Sequence, residues 1–133
     1  MKAVFADTSF YIALLNTRDE HHQNAKQFVT DYKGDFLTSA WIIAELANFL
    51  CQVSNRSLFV SLYEDLRKDP RVTIIPLSNH LHEAGIDLYS KRQDKDWSLT
   101  DCISFLIMQQ QNLHEAAATD HHFEQAGFVR LIP

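Results

Sequence analysis

Four acidic residues occupy positions where their carboxylates can meet in a folded chain. Asp7 and Asp120 each follow a short apolar run. Asp101 lies at the start of an apolar segment, and Glu45 is the one acid within residues 41–50. Carboxylates held close together repel one another unless a cation or shared protons compensate their charge. Oxygen donors without a Cys or His cluster favour a hard ion such as Mg²⁺ or Mn²⁺, and such ions activate water against phosphodiesters.

Three of these acids also have a purely structural interpretation. Aspartate is a favoured helix N-cap, which would account for Asp7 and Asp120 before predicted helices. Ser98 and Asp101 have the spacing of a capping box, in which the acid bonds back to the cap residue. For each acid taken singly, capping is the simpler interpretation.

Glu45 is harder to explain by capping, because it lies within an apolar helical segment. Glu45, Asn48 and Gln52 form one thin polar stripe at helical spacing. The stripe would either face solvent or line a polar cleft. The joint pattern of the four acids favours the cleft, since strand ends and helix starts converge at one edge of a parallel sheet.

The predicted elements alternate between strands and helices along the whole chain. Strands are predicted at residues 2–6, 36–38, 72–75, 116–118 and 129–132. Helices are predicted at residues 10–15, 20–33, 40–52, 56–68, 80–91 and 99–110, with a helical turn at 120–125. Such alternation predicts an α/β fold with an open parallel sheet and helices on both faces. Ligands of such sheets bind outside the carboxyl ends of the strands, where Asp7 and Asp120 fall.

Length and composition indicate one globular domain over residues 1–133. The net charge of -5 argues against nonspecific duplex binding, although a bound metal would locally neutralise clustered acids. Cys51 and Cys102 are interpreted as two buried free thiols in a reducing compartment. With no apolar run near the length of a membrane span, we expect a cytoplasmic protein.

Four segments resemble, in order, the motifs of PIN domains. They are Phe5-Ala6-Asp7-Thr8-Ser9, Ser39-Ala40-Trp41-Ile42-Ile43-Ala44-Glu45-Leu46, Trp97-Ser98-Leu99-Thr100-Asp101-Cys102, and the segment from Ala118-Thr119-Asp120-His121-His122 to Phe128. The resemblance implies a three-layer α/β/α fold with an open, mostly parallel sheet. It also implies a metal-dependent nuclease whose catalytic and metal-binding residues are Asp7, Glu45, Asp101 and Asp120. Thr8, Ser9 and Thr119 would give these acids polar support.

Among PIN proteins, a free-standing domain of this length is similar to the VapC-type toxins of bacterial toxin–antitoxin pairs. That similarity implies an endoribonuclease that uses Mg²⁺ or Mn²⁺, cleaves RNA, forms a homodimer and is silenced by a small antitoxin. Some relatives carry a further acid or amide two residues after the fourth acid, where this chain has His122. This departure leaves the number of metal ions open.

The alternative from another functional class is a non-catalytic PIN-like module that binds RNA or protein. Retention of all four acids favours the enzyme. Candidate RNA-contacting residues are Arg56, Lys91, Arg92 and Lys95, each of which is also typical of ordinary surface charge. Candidates for an apolar partner surface are Phe59, Tyr63 and Phe105.

Overall fold

The computed structural model describes residues 3–133, which form five strands and seven helices. The strands are β1 (Val4–Ala6), β2 (Phe36–Ser39), β3 (Val72–Ile75), β4 (Glu115–Ala117) and β5 (Val129–Arg130). The helices are α1 (Thr8–Leu15), α2 (His22–Asp31), α3 (Ala40–Phe49), α4 (Arg56–Lys68), α5 (Asn79–Lys91), α6 (Leu99–Gln110) and α7 (His122–Gln125). None of the helices in residues 3–133 is both long and apolar enough to span a membrane.

The five strands form one parallel sheet in the order β3-β2-β1-β4-β5. The two central strands β1 and β4 are neighbours, with Ala6 opposite Ala117. From β1 the chain proceeds outward through β2 and β3, and it then returns to β4 on the other side of β1. The gap between the carboxyl ends of β1 and β4 is therefore the point where the strand order reverses, which is where open α/β sheets bind ligands.

Helices cover both faces of the sheet, which confirms the predicted three-layer α/β/α fold. Right-handed crossovers place α1 to α4 on one face and α5 to α7 on the other. The helix packing agrees, since α1 contacts α2 and α3, whereas α6 contacts α5 and α7. Helices α3 and α6 also contact each other, and this brings the helices of Glu45 and Asp101 together.

The hydrophobic core explains why the short central strands and α6 are held firmly. All three residues of β1 are buried, as expected for a parallel strand covered on both faces. Phe5 and Phe105 both contact the ring of Phe123, so β1, α6 and α7 share one aromatic cluster. Helix α5 approaches α6 closely at Gly85, where an added Cβ would overlap the side chain of Ile103.

Several element boundaries differ from the sequence prediction. Residue 2, predicted as the first residue of β1, lies outside the described part of the chain. Helix α2 is shorter at both ends than predicted, and β5 ends at Arg130. Helix α3 ends at Phe49 with Leu50 as its C-cap. Gln52 therefore lies beyond the helix, and the predicted polar stripe reduces to Glu45 and Asn48.

Two burial predictions were wrong. Cys51 is exposed, because it follows the end of α3 and lies in the loop before α4, while Cys102 is buried as expected. Phe105, predicted for a partner surface, is 2% exposed and packs edge-to-face on Trp97 and Phe123. Its helix is buried on more sides than an amphipathic pattern suggests, since seven of its twelve residues are buried.

Candidate active site

Asp7 is held at the carboxyl end of β1 by both its backbone and its side chain. Its amide nitrogen donates to the carbonyl oxygen of Ala117 at 3.0 Å, which continues the pairing of β1 with β4. Its carboxylate caps α1, accepting from the Ser9 amide at 3.1 Å and the Ser9 hydroxyl at 2.6 Å. The side chain is buried at this cap. The capping interpretation of Asp7 is therefore confirmed, and it does not conflict with a further role.

Ser9 connects Asp7 to the loop that carries Asp120. While the Ser9 hydroxyl donates to Asp7, it also accepts from the amide nitrogen of Thr119 at 3.0 Å. The carbonyl oxygen of Thr119 accepts from the guanidinium of Arg130 at 2.8 Å. The start of α1 and the loop after β4 are thus joined through one hydroxyl group, and Arg130 of β5 supports that loop.

Asp101 and Asp120 meet at the ring of His122. Asp101 completes the capping box of α6 with Ser98, as predicted. Nδ1 of His122 lies 2.9 Å from Oδ2 of Asp101 and 3.2 Å from Oδ2 of Asp120. The amide nitrogen of His122 also donates to Oδ1 of Asp120 at 2.9 Å. The start of α6 and the start of α7 therefore share one polar cluster.

The electrostatics show that the four acids influence one another. Burial, together with the charges of Asp101 and Glu45, raises the pKa of Asp7 to about 7, against the lowering effect of the Ser9 hydrogen bonds. The pKa of Asp101 is also raised, mainly by burial and in addition by the charge of Asp120. The structure thus brings all four predicted acids into one neighbourhood at the reversal point of the sheet.

The donor set of this neighbourhood fits a divalent cation. Asp7 and Asp101 are buried and have raised pKa values, and within residues 3–133 no Lys or Arg is among the causes that act on either carboxylate. The side-chain hydrogen bonds of Asp7 and Asp101 within residues 3–133 use only Oδ2 of each carboxylate. The hydroxyl of Thr8 is buried and has no hydrogen-bond partner among the described residues. Carboxylate and hydroxyl oxygens are the ligands that Mg²⁺ and Mn²⁺ prefer.

Two contributors to this site were not assigned from the sequence. In the sequence, His122 departs from the PIN pattern and lies close enough to Asp120 to reach the site, but its role stays open, and Arg130 lies in an apolar strand with no motif around it. A histidine two residues after a candidate metal ligand was the available signal for His122. No comparable signal marks Arg130, because its role depends on β5 lying beside β4.

A surface cavity of about 630 Å³ adjoins the start of α6. It is lined by Tyr89, Ser90, Arg92, Gln93, Lys95, Asp96, Trp97 and Ser98. The guanidinium of Arg92 lies 4.8 Å from the centre of the Trp97 ring and pairs with Asp94. Ser98, the cap of the helix that carries Asp101, forms part of the lining, so the cavity opens beside the acidic cluster. Cations and aromatic rings together are typical of surfaces that bind single-stranded nucleic acid.

The fold and the acidic site identify the class of protein. The chain belongs to the PIN domain family, whose family model matches residues 4–129. It is 27% identical over 130 residues to the 23S rRNA-specific endonuclease VapC20 of Mycobacterium tuberculosis, strain CDC 1551, with 98% of each chain covered. The resemblance stated from the motifs is thereby confirmed.

Solved structures show the same architecture. The crystal structure of Mycobacterium tuberculosis VapC20, described as a sarcin–ricin loop cleaving toxin, superposes with a TM-score of 0.89 at 26% identity. That match covers 98% of this chain and all of the other. FitAcB from Neisseria gonorrhoeae has a TM-score of 0.68 at 19% identity, covering 96% of this chain and 94% of that one, and supports the fold alone.

Proposed function

We propose that this protein is a metal-dependent endoribonuclease and the toxin of a toxin–antitoxin pair. The observation that carries the proposal is the convergence of Asp7, Glu45, Asp101 and Asp120 at the carboxyl ends of β1 and β4, with raised pKa values on the two most buried acids. Membership of the PIN family and the likeness to an rRNA endonuclease support the same activity.

The four acids are proposed to hold Mg²⁺ or Mn²⁺. A bound divalent ion of this kind supplies an activated water and neutralises charge on a phosphodiester. The carboxylates of Asp7 and Asp101 are buried. Glu45 on α3 and Asp120 in the loop after β4 would add two less buried carboxylates to the same site. Because Ser9 donates to Asp7, it fixes the direction in which that carboxylate faces. Thr8 and Thr119 flank these groups as polar support.

RNA is proposed to approach through the cavity beside α6. Lys95 and Arg92 offer positive charge to phosphates, and exposed Tyr89 offers a ring face on which a base can stack. Of the four basic candidates from the sequence, Arg92 and Lys95 line this cavity. Lys91 instead pairs with Asp87 on α5. Arg56 donates to the carbonyl oxygen of Cys51. The sarcin–ricin loop named for the solved relative is the RNA to test first.

Protein partners are proposed for the exposed apolar surface of α3, α4 and their connection. Phe49, Val53, Leu58 and Val60 are between 43% and 92% exposed there, and patches of this kind commonly mark protein interfaces. A groove of about 270 Å³ lies alongside, where Ile12 of α1 faces Phe49 and Leu58. A small antitoxin would cover this surface. A second copy of the chain would form a homodimer.

The site of action is proposed to be the cytoplasm.

The proposal is tested by incubating purified protein with a sarcin–ricin loop RNA and an unstructured RNA. Cleavage is expected with Mg²⁺ or Mn²⁺, with loss of cleavage in EDTA and recovery on adding excess metal. Undiminished cleavage in EDTA would contradict the metal mechanism. RNA binding without any cleavage under all metal conditions would instead favour the non-catalytic module.

A further inference from the structure

His122 stands where an ion held by Asp101 and Asp120 would have to bind. Its Nδ1 atom lies between the two carboxylates, 2.9 Å from one and 3.2 Å from the other. An Nδ1–H group in this position donates to carboxylate oxygen, so the ring supplies one hydrogen-bond donor to the two acids. A cation that arrives between these acids must either displace the ring or accept its nitrogen as a ligand.

The surroundings of His122 favour ligation over displacement. The residue begins α7, and its amide nitrogen is already bonded to Asp120, so its backbone cannot withdraw without breaking that bond. Its side chain is only 17% exposed. Its ring also lies 4.6 Å, centre to centre, from the ring of His121, which restricts rotation toward solvent.

The distances from Nδ1 to each carboxylate oxygen also suit neighbouring ligands of one ion. Neighbouring ligands around a small divalent ion with bonds of about 2.1 to 2.2 Å stand about 3 Å apart. The separations of Nδ1 from the two carboxylate oxygens fall on either side of this value. An ion can therefore take the place of the Nδ1 proton, with the proton moving to Nε2 in the other neutral tautomer.

We infer that His122 is a nitrogen ligand of the metal site, which makes the donor set mixed rather than all-carboxylate. This inference rests on the proposed metal-dependent function and specifies its ion. Imidazole favours transition ions, whereas Mg²⁺ prefers oxygen donors and retains its water. The site therefore prefers Mn²⁺ to Mg²⁺, and replacement of His122 by an oxygen donor weakens that preference.

Pulsed electron paramagnetic resonance of the Mn²⁺-loaded full-length protein tests the ligand directly. Nitrogen-14 modulation is expected from the wild type and is replaced by a nitrogen-15 pattern when the histidines are labelled with that isotope. The modulation is expected to disappear in His122→Asn and to persist in His121→Asn. His121 is the matched control, because its ring is 66% exposed and its Nδ1 lies 3.7 Å from Asp120.

Competition between the two ions gives a second readout. Loss of a group that supports a metal site typically lowers affinity about 10- to 100-fold, so His122→Asn should release Mn²⁺ at a Mg²⁺ concentration at least about tenfold lower than the wild type does. Bound Mn²⁺ without nitrogen modulation in the wild type would overturn the ligand assignment and leave the nuclease proposal standing. No Mn²⁺ binding at all would contradict both. If His122→Asn fails to fold, His121→Asn decides the question, because Asp120, His121 and His122 have ligand atoms within 4.8 Å of one another: modulation that persists in His121→Asn supports the assignment, and its loss there would overturn it.

Discussion

Asp101 and His122 are 21 positions apart in the sequence, yet Oδ2 of Asp101 and Nδ1 of His122 lie 2.9 Å apart. This contact joins the N-terminal ends of α6 and α7 at the edge of the sheet where Asp7 also lies. It places an imidazole within a group of carboxylates whose mutual repulsion would otherwise go uncompensated.

Asp7→Asn should stabilise the metal-free protein at neutral pH. The folded state keeps a proton on Asp7 up to about pH 7, whereas the unfolded chain releases it near pH 3.8. Between these values the folded state binds more protons, so the free energy of unfolding falls as the pH rises. One pKa unit corresponds to about 1.4 kcal/mol, which makes the loss on the order of 4 kcal/mol by pH 8. Asn retains the capping acceptor and cannot ionise.

Urea unfolding in EDTA between pH 4 and pH 8 measures this effect. Wild type should lose stability across this range, and Asp7→Asn should lose much less. Asp69→Asn is the matched control, because Asp69 also caps a turn but has a lowered pKa from its hydrogen bonds to Arg71. Parallel pH profiles for wild type and Asp7→Asn would show that Asp7 is an ordinary cap.

Divalent metal should raise the melting temperature at neutral pH and have little effect near pH 4. The ion binds the folded site and not the dispersed acids of the unfolded chain, and protonation of the acids competes with it. At a hundredfold excess over Kd, the expected rise is on the order of 10 °C. Differential scanning fluorimetry with Mn²⁺, Mg²⁺ and EDTA provides the measurement. Equal responses at both pH values would place the metal at a different site.

Ser9→Ala should lower the cleavage rate while leaving the fold intact. The change removes the donor to Asp7 and the acceptor for Thr119, so the start of α1 and the loop after β4 lose their link. A hydrogen bond of this kind contributes about 1 to 2 kcal/mol. Ser9→Thr keeps the hydroxyl and should retain most activity. Turnover and urea unfolding of the two variants separate the effects, and normal turnover in Ser9→Ala would show that the link is not needed for catalysis.

Lys95→Ala should weaken RNA binding more than it slows the chemical step. Removal of one phosphate contact is expected to lower the slope of log affinity against log salt concentration by about one, because about one fewer counterion is released on binding. Lys26→Ala, on exposed α2 away from the cavity, is the control of equal charge. Binding is measured by fluorescence anisotropy at several salt concentrations with metal replaced by Ca²⁺. If the two variants bind RNA equally well, the cavity is not the RNA path.

Most elements of the fold, and the positions of the acids relative to them, were predictable from the sequence. Asp7, Asp101 and Asp120 lie near element boundaries that local signals predict, such as the capping box of Ser98 and Asp101, whereas Glu45 lies within α3. The place of His122 was not predictable, because it depends on how the short helix α7 is turned against α6. Likewise the burial of Phe105 depends on three aromatic neighbours from other elements. Local pattern predicts where a helix begins, but tertiary packing decides what each of its faces meets.

The proposed nuclease site requires four acids from separate elements to act together. The most direct test is single-turnover RNA cleavage in Mn²⁺ by the variants Asp7→Asn, Glu45→Gln, Asp101→Asn and Asp120→Asn, beside Asp69→Asn and Glu64→Gln as surface controls. Each of the four site variants is expected to cleave on the order of 100-fold more slowly or worse, with both controls near the wild-type rate. Cleavage at the wild-type rate by any folded site variant would contradict the single four-acid site.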